Sequence, residues 1–118
     1  MNKTVVLITD DEKKIRDMYR EILELEGFEV IEAYDAKEAV IMLRNKKPEL
    51  VLLDINMPGG PFHVIDTIKA EGMPSKVMIV SVKLVDEQKL LMPQADGYHD
   101  KSAGTDELIR KIKGLFSK

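Results

Sequence analysis

Five polar residues stand where apolar runs stop, and their types suit one kind of chemistry. Asp10 and Asp11 follow Val5-Val6-Leu7-Ile8 after a single Thr9. Asp54 follows Leu50-Val51-Leu52-Leu53 at once, Ser81 follows Val77-Met78-Ile79-Val80, and Lys101 follows the weaker run Gly97-Tyr98-His99-Asp100. Three carboxylates gathered in one place repel: two unit charges about 4 Å apart cost roughly 4 kcal/mol at an effective dielectric of 20. A hard divalent cation relieves that repulsion, and Mg2+ prefers oxygen ligands while keeping several waters. A partly coordinated Mg2+ beside a carboxylate, a hydroxyl and an ammonium suits phosphoryl transfer. Metal and lysine neutralise charge on the transferring group, and a carboxylate accepts it. Asp54 is the expected acceptor, because it ends a fully apolar run and precedes the irregular loop Asn56 to Pro61.

Taken singly, each residue has an ordinary reading. Asp10-Asp11 ahead of a helix is the composition of a capping pair. Asp54 ahead of Pro58 suits a turn, Lys101 is of a type usually solvated, and Ser81 alone carries no weight. Their joint placement after successive apolar runs favours the shared pocket. His63 and His99 lack partners at metal-ligand spacing and are expected on the surface or in loops. The seven Met are expected as adaptable core filling.

The elements that must position these residues follow from periodicity. The three continuous apolar runs read as strands buried on both faces. Phe28 to Ala33 reads as a strand nearer an edge, and Gly97 to Asp100 as a strand mainly by its place in the series. Between them the period becomes helical: Ile15, Met18, Tyr19, Ile22 and Leu23, closed by Gly27. Asp35 with Glu38 is a capping box opening a helix with Ala36, Ala39, Val40 and Leu43 as its inner stripe. Pro61 begins a third helix carrying Val64, Ile65 and Ile68, closed by Gly72. Leu84 to Met92 is a short helix ended by Pro93. Thr105 is the expected cap of a last helix with Leu108, Ile109, Ile112, Leu115 and Phe116. Five β-then-α units predict an α/β fold, a parallel sheet with helices on both faces and right-handed crossovers. Ligands of such a sheet bind beyond the carboxyl ends of its strands.

Composition narrows the function classes. The 118 residues suit a single domain over 1–118, and 18 Lys+Arg against 21 Asp+Glu leave −3. No basic footprint offers itself to nucleic acid or to anionic membranes. The absence of Cys excludes disulfides, thiolate metal sites and cysteine nucleophiles. No apolar run approaches the roughly 20 residues that span a bilayer, and the first of them, Val5 to Ile8, is too short for a signal-peptide core. A cytoplasmic protein is expected.

The segments Ile8-Thr9-Asp10-Asp11-Glu12 and Leu52-Leu53-Asp54-Ile55-Asn56-Met57-Pro58, with Ser81 and with Tyr98 three residues before Lys101, are similar in order and spacing to one family. Together they resemble the receiver domain of two-component response regulators over essentially the whole chain. The resemblance implies a flavodoxin-like, doubly wound five-stranded sheet in the order 2-1-3-4-5. It implies that Asp54 accepts a phosphoryl group from a phosphohistidine of a sensor histidine kinase or histidine phosphotransferase. Mg2+ would be held by Asp11, Asp54 and the backbone carbonyl of Asn56, with Asp10 acting partly through water. Ser81 and Lys101 would bind the phosphoryl oxygens, and Tyr98 would be the aromatic that changes rotamer on activation. Output would pass through the face of helix 4, strand 5 and helix 5 to a downstream protein. Nothing follows the last helix beyond Ser117-Lys118, so a single-domain regulator is expected. It would not be a turnover enzyme, though it would assist its own phosphorylation and dephosphorylation.

Several positions depart from that pattern. Ser102 stands where the family has Pro after the lysine; a non-proline cis bond costs about 3 kcal/mol, so Lys101-Ser102 is expected to be trans. Val82 replaces a small residue and is expected to narrow access to Asp54. Gly59-Gly60-Pro61-Phe62 replaces an acidic-glycine sequence and reshapes the loop. Short spacings from Asp54 to Ser81 and from Ser81 to Lys101 are expected to trim the third and fourth helices. Two other functions fit parts of the pattern. One is a degenerate receiver used as a phosphorylation-independent docking module. The other is a small Mg2+-dependent aspartyl phosphatase, since Asp54-Ile55-Asn56 resembles the haloacid-dehalogenase nucleophile motif with Asn56 in place of its second acid.

Overall fold

A computed structural model of the chain describes residues 3–117. Its strands are β1 (Val5–Thr9), β2 (Glu29–Ala33), β3 (Leu50–Asp54), β4 (Lys76–Ser81) and β5 (Gly97–Asp100). Its helices are α1 (Lys13–Leu25), α2 (Ala36–Lys46), α3 (Pro61–Ala70), α4 (Val85–Leu91) and α5 (Thr105–Phe116). The strands form one parallel sheet in the order β2-β1-β3-β4-β5, as expected. β3 is central, and all five of its residues are buried.

The period of two along each strand divides the core into layers. Leu7, Val51, Leu53, Val77 and Ile79 pack with Ala36, Leu43, Val64, Ile65 and Met92 on the α2–α3 side. Val6, Ile8, Leu50, Leu52, Met78 and Val80 pack with Tyr19 and Leu23 of α1 and Leu108 and Ile112 of α5. Helices therefore cover both faces, so both sets of strand residues are apolar and the runs read as continuous.

Helix ends follow local rules with some changes. Asp35 caps α2 by accepting from the Glu38 N–H at 2.8 Å. Glu38 Oε1 reaches back to the N–H of Tyr34 at 3.0 Å, one residue before the usual partner. Pro61 is the first residue of α3. Thr105 is not a cap: Gly104, at φ 88°, takes that position, and Thr105 is already helical. A glycine reaches this left-handed backbone without the steric cost that a threonine there would carry. α3 and α4 are short, at 10 and 7 residues against 13 in α1. Met18 is 41% exposed and Phe116 39%, so both lie outside the stripes assigned to them; Met57, Met78 and Met92 are core. Met1 lies outside the described residues. No peptide bond is cis among the described residues. After β5 the chain makes a single 3-10 turn over Lys101–Ala103.

Candidate functional site

Register sets the site. Thr9 is level with Leu53, Asp54 with Val80, and Ser81 with Asp100. Asp10, Asp54, Ser81 and Lys101 consequently follow one another across the carboxyl edge of four adjacent strands. Thr9 Oγ1 donates to the Leu52 carbonyl at 2.8 Å, fastening the end of β1 to β3.

Asp10 is buried, and both of its carboxylate oxygens are engaged. Oδ1 accepts from the Glu12 N–H at 2.9 Å, and Oδ2 accepts from Lys101 Nζ at 3.0 Å. The Asp10 carbonyl accepts from Arg16 Nη1 at 2.7 Å, while Arg16 Nε donates to Glu32 Oε1 at 3.0 Å. Asp10 thus does not cap α1; Glu12 stands at the cap position without a side-chain bond. Arg16 was not a candidate from sequence. Its signal was its place on the helical turn after the acids, with Glu32 at the end of the neighbouring strand.

Asp54 is buried at the end of β3. Its Oδ1 accepts from the Asn56 N–H at 3.1 Å, and its Oδ2 lies 3.8 Å from Lys101 Nζ. Burial pushes the Asp54 carboxyl above the usual carboxylate range; the Asn56 N–H and Lys101 pull the other way, and Asp10 and Asp11 add to the rise. The same negative field reaches Tyr19 of α1. Its phenol is pushed up to about 12, by burial first and by Asp10 and Asp54 after it.

Asp11 is exposed at the mouth. Carboxylate oxygens of Asp10, Asp11 and Glu12 can lie within 4.8 Å of one another, which adds Glu12 to the acids named from sequence. An Asp54 carboxyl made uncomfortable by burial and by neighbouring acids, beside a set of hard oxygen donors of which Asp11 and Glu12 are exposed, fits a hard divalent cation. Ser81 is buried, and its Oγ accepts from the Lys83 N–H at 3.2 Å. Its own O–H remains free to donate elsewhere. Lys101 is partly buried between the two strand-end acids. Val82 is 72% exposed. The loop after Asp54 lies against α2, with the Ala36 N–H donating to the Pro58 carbonyl at 3.0 Å.

Tyr98 stands beside rather than in this cluster. Its hydroxyl donates to the Met92 carbonyl at 2.6 Å, holding the end of α4. Burial raises its pKa. His63 is exposed on α3 as expected, but His99 is not a surface residue: it is buried in β5 with Nδ1 unpartnered. Burial, then Lys111, pushes its imidazole pKa down. The 3-10 turn carrying Lys101 is held by Asp100 Oδ1, which accepts from the Ser102 N–H at 2.9 Å and the Ser102 hydroxyl at 2.8 Å. No helix among the described residues is long and apolar enough to cross a membrane.

Comparison with known proteins points the same way. The phosphate regulon transcriptional regulatory protein PhoB of Klebsiella pneumoniae is 34% identical over 116 residues, covering 94% of this chain and 51% of its own length. The chain therefore spans about half the length of that curated relative. The response regulator TrrA of Thermotoga maritima, solved in complex with Mg2+ and BeF, superposes at a TM-score of 0.85. It is 32% identical, covering 96% of this chain and 99% of its own. The fold is also that of chemotaxis protein CheY4 of Vibrio cholerae, at a TM-score of 0.89 and 22% identity over 98% and 100% of the two chains. The response regulator receiver domain model matches residues 6–113. With the strand order and nearly all of the chain accounted for, this chain belongs to the receiver domain family of two-component response regulators.

Proposed function

We propose that Asp54 is the phosphoacceptor of this receiver, taking the phosphoryl group from a phosphohistidine in a Mg2+-dependent reaction. The observation that carries the reading is the ammonium of Lys101, 3.0 Å from Asp10 and 3.8 Å from Asp54, beside the Ser81 strand end. Asp11, Asp54 and the backbone carbonyl of Asn56 would hold Mg2+, with Asp10 acting partly through water. Bound there, the metal supplies charge neutralisation to the phosphoryl oxygens.

The protein groups do the rest. A carboxylate oxygen of Asp54 attacks phosphorus, the phosphorus–nitrogen bond breaks, and the electron pair leaves with the histidine imidazole. The product is an aspartyl phosphate. Burial penalises the free charge on the Asp54 carboxylate, and that charge leaves the carboxyl oxygen when it bonds phosphorus. The Asn56 N–H fixes one oxygen and leaves the other toward Lys101. Lys101 turns from Asp10 to the arriving phosphoryl oxygens, and the Ser81 hydroxyl donates to another of them. Tyr98 serves as the switch aromatic. The donor is a sensor histidine kinase or histidine phosphotransferase, and the signal leaves through contact with a downstream protein in the cytoplasm, with no direct role for nucleic acid or membrane.

Incubation with Mg2+ and acetyl phosphate tests this. Intact mass is expected to show one added phosphate, absent in Asp54→Asn. Failure to form an adduct, together with no beryllofluoride binding, would leave a docking module. Sustained turnover of phosphate monoesters would indicate a phosphatase.

A further inference from the structure

Gln88 is a polar residue with no exposed surface, in the middle of the shortest helix. Its Nε2 donates to the Lys83 carbonyl at 2.7 Å and to the His99 carbonyl at 2.9 Å. Two carbonyl partners fix which end of the amide faces them, since only the NH2 can donate. Its Oε1 is left buried and unpartnered, a costly arrangement that an apolar side chain of the same size avoids.

What the two donated bonds join is specific. Lys83 is held from both sides: its N–H donates to Ser81 Oγ, and its carbonyl accepts from Gln88. The same Gln88 amide reaches β5 two residues before Lys101. A path of hydrogen bonds, bridged by the Lys83 backbone, therefore runs from the Ser81 hydroxyl through Gln88 to His99. A second tie, from the Tyr98 hydroxyl to the Met92 carbonyl, fastens the far end of α4 to the same strand. Leu84, Leu90 and Leu91 in and beside α4 are exposed apolar side chains, so any displacement of α4 alters what they present to solvent.

We propose that Gln88 is a positioning residue that couples the Ser81 hydroxyl to α4 and β5. It holds Lys83 so that one Ser81 lone pair is occupied and the Ser81 O–H is aimed away from the loop. When Ser81 changes partner, Lys83 shifts, and the rigid amide carries that shift into α4. The inference rests on the phosphoryl-binding role of Ser81 for its consequence, but the coupling itself is present without phosphate.

The test is amide NMR on wild type, Ser81→Ala, Gln88→Met and the double variant, each with and without Mg2+ and beryllofluoride. Met fills nearly the same space as Gln but cannot donate. Ser81→Ala is expected to shift the Gln88 side-chain NH2 signals and the backbone amides of α4 and His99. In the Gln88→Met background the same substitution is expected to shift α4 about twofold less or weaker still. Equal shifts in both backgrounds overturn the proposal. If Gln88→Met does not fold, the wild type and Ser81→Ala decide alone: unmoved Gln88 side-chain signals overturn the coupling, and moved ones support it. The beryllofluoride arm judges the phosphoacceptor reading separately. A wild type that ignores beryllofluoride removes that reading, whatever the Ser81→Ala arm says of the coupling.

Discussion

Lys101 Nζ is closer to Asp10 than to Asp54, at 3.0 Å against 3.8 Å. The single ammonium of the pocket thus leans on the acid that is not the proposed acceptor. Asp54 Oδ2 keeps only a long-range share of it, and its Oδ1 is engaged by the Asn56 N–H. Asp54 Oδ2 is left less encumbered than the Asp10 carboxylate.

Lys101→Met removes that counter-charge. Lys101 holds the Asp54 pKa down, against the rise caused by burial, so the substitution is expected to raise it further. Phosphorylation by acetyl phosphate is expected to slow about tenfold or more, as loss of one charge-stabilising donor does at comparable sites. Intact-mass time courses read the rate, and carboxyl NMR of Asp54 reads the titration. An unchanged rate would remove Lys101 from phosphoryl binding.

Asp54→Asn is expected to stabilise the domain in the absence of metal. A carboxyl whose folded pKa lies above its unfolded value binds its proton more tightly when folded. Its contribution to stability therefore falls as pH rises from the unfolded value through the folded one, and the penalty is complete above that. At pH 7 the neutral amide escapes this penalty, and the melting temperature is expected to rise by roughly 2–5 °C. The gain is expected to vanish near pH 3, where wild-type Asp54 is protonated. Saturating Mg2+ is expected to narrow the difference, because only wild type keeps the full set of proposed ligands. Thermal melts across pH, with and without Mg2+, check each arm.

Much of this arrangement was legible because several residues carried unambiguous patterns. The four-residue apolar runs of β1, β3 and β4 are buried on both faces, so each shows its character without alternation, and the polar residues at their ends are read directly. The β5 segment has no such run: Tyr98 packs on one face and His99 on the other, and its burial comes from α4 and α5 rather than from its own composition. That is why His99 was expected outside and lies inside. Met18 obeys helical spacing yet falls on the margin of the α1 stripe, where the sheet no longer covers it. Gln88 was missed because no motif contains it. The signal was present as spacing: Leu84, Gln88 and Met92 repeat every fourth residue, with one amide inside an otherwise apolar row.

Gly59→Ala is expected to disturb the loop that runs from Asp54 toward α3. Gly59 has φ 87°, and a β-carbon there would stand 2.7 Å from the Ala36 β-carbon at the start of α2. Left-handed strain and the clash together are expected to cost about 2–3 kcal/mol, measured by urea unfolding. Gly60→Ala meets no neighbour within 4 Å at φ 77° and is expected to cost about half as much, from strain alone.

Asp35→Ala removes the cap that accepts from the Glu38 N–H. The loss is expected to be about 1 kcal/mol, with Asp35→Ser recovering most of it. Because Tyr34 and Glu38 remain bonded to each other, faster hydrogen exchange is expected at the Glu38 amide and little change at Tyr34. Uniformly faster exchange across both would contradict a local cap.

Asp10 and Lys101 are separated by 91 positions in the chain. At a synthesis rate of about 5–20 residues per second, roughly 5–20 s pass between making the acid and making its counter-charge. Through that interval β1, β2 and β3 can already pair, but the outer edge of β3 lies open until β4 is complete, and β5 follows later still. The nascent protein thus carries an unneutralised group of carboxylates beside an exposed strand edge. Like charges at that edge discourage two unfinished chains from joining there. On that order of synthesis the acids at the strand ends would present only like charge at the open edge until Lys101 is made.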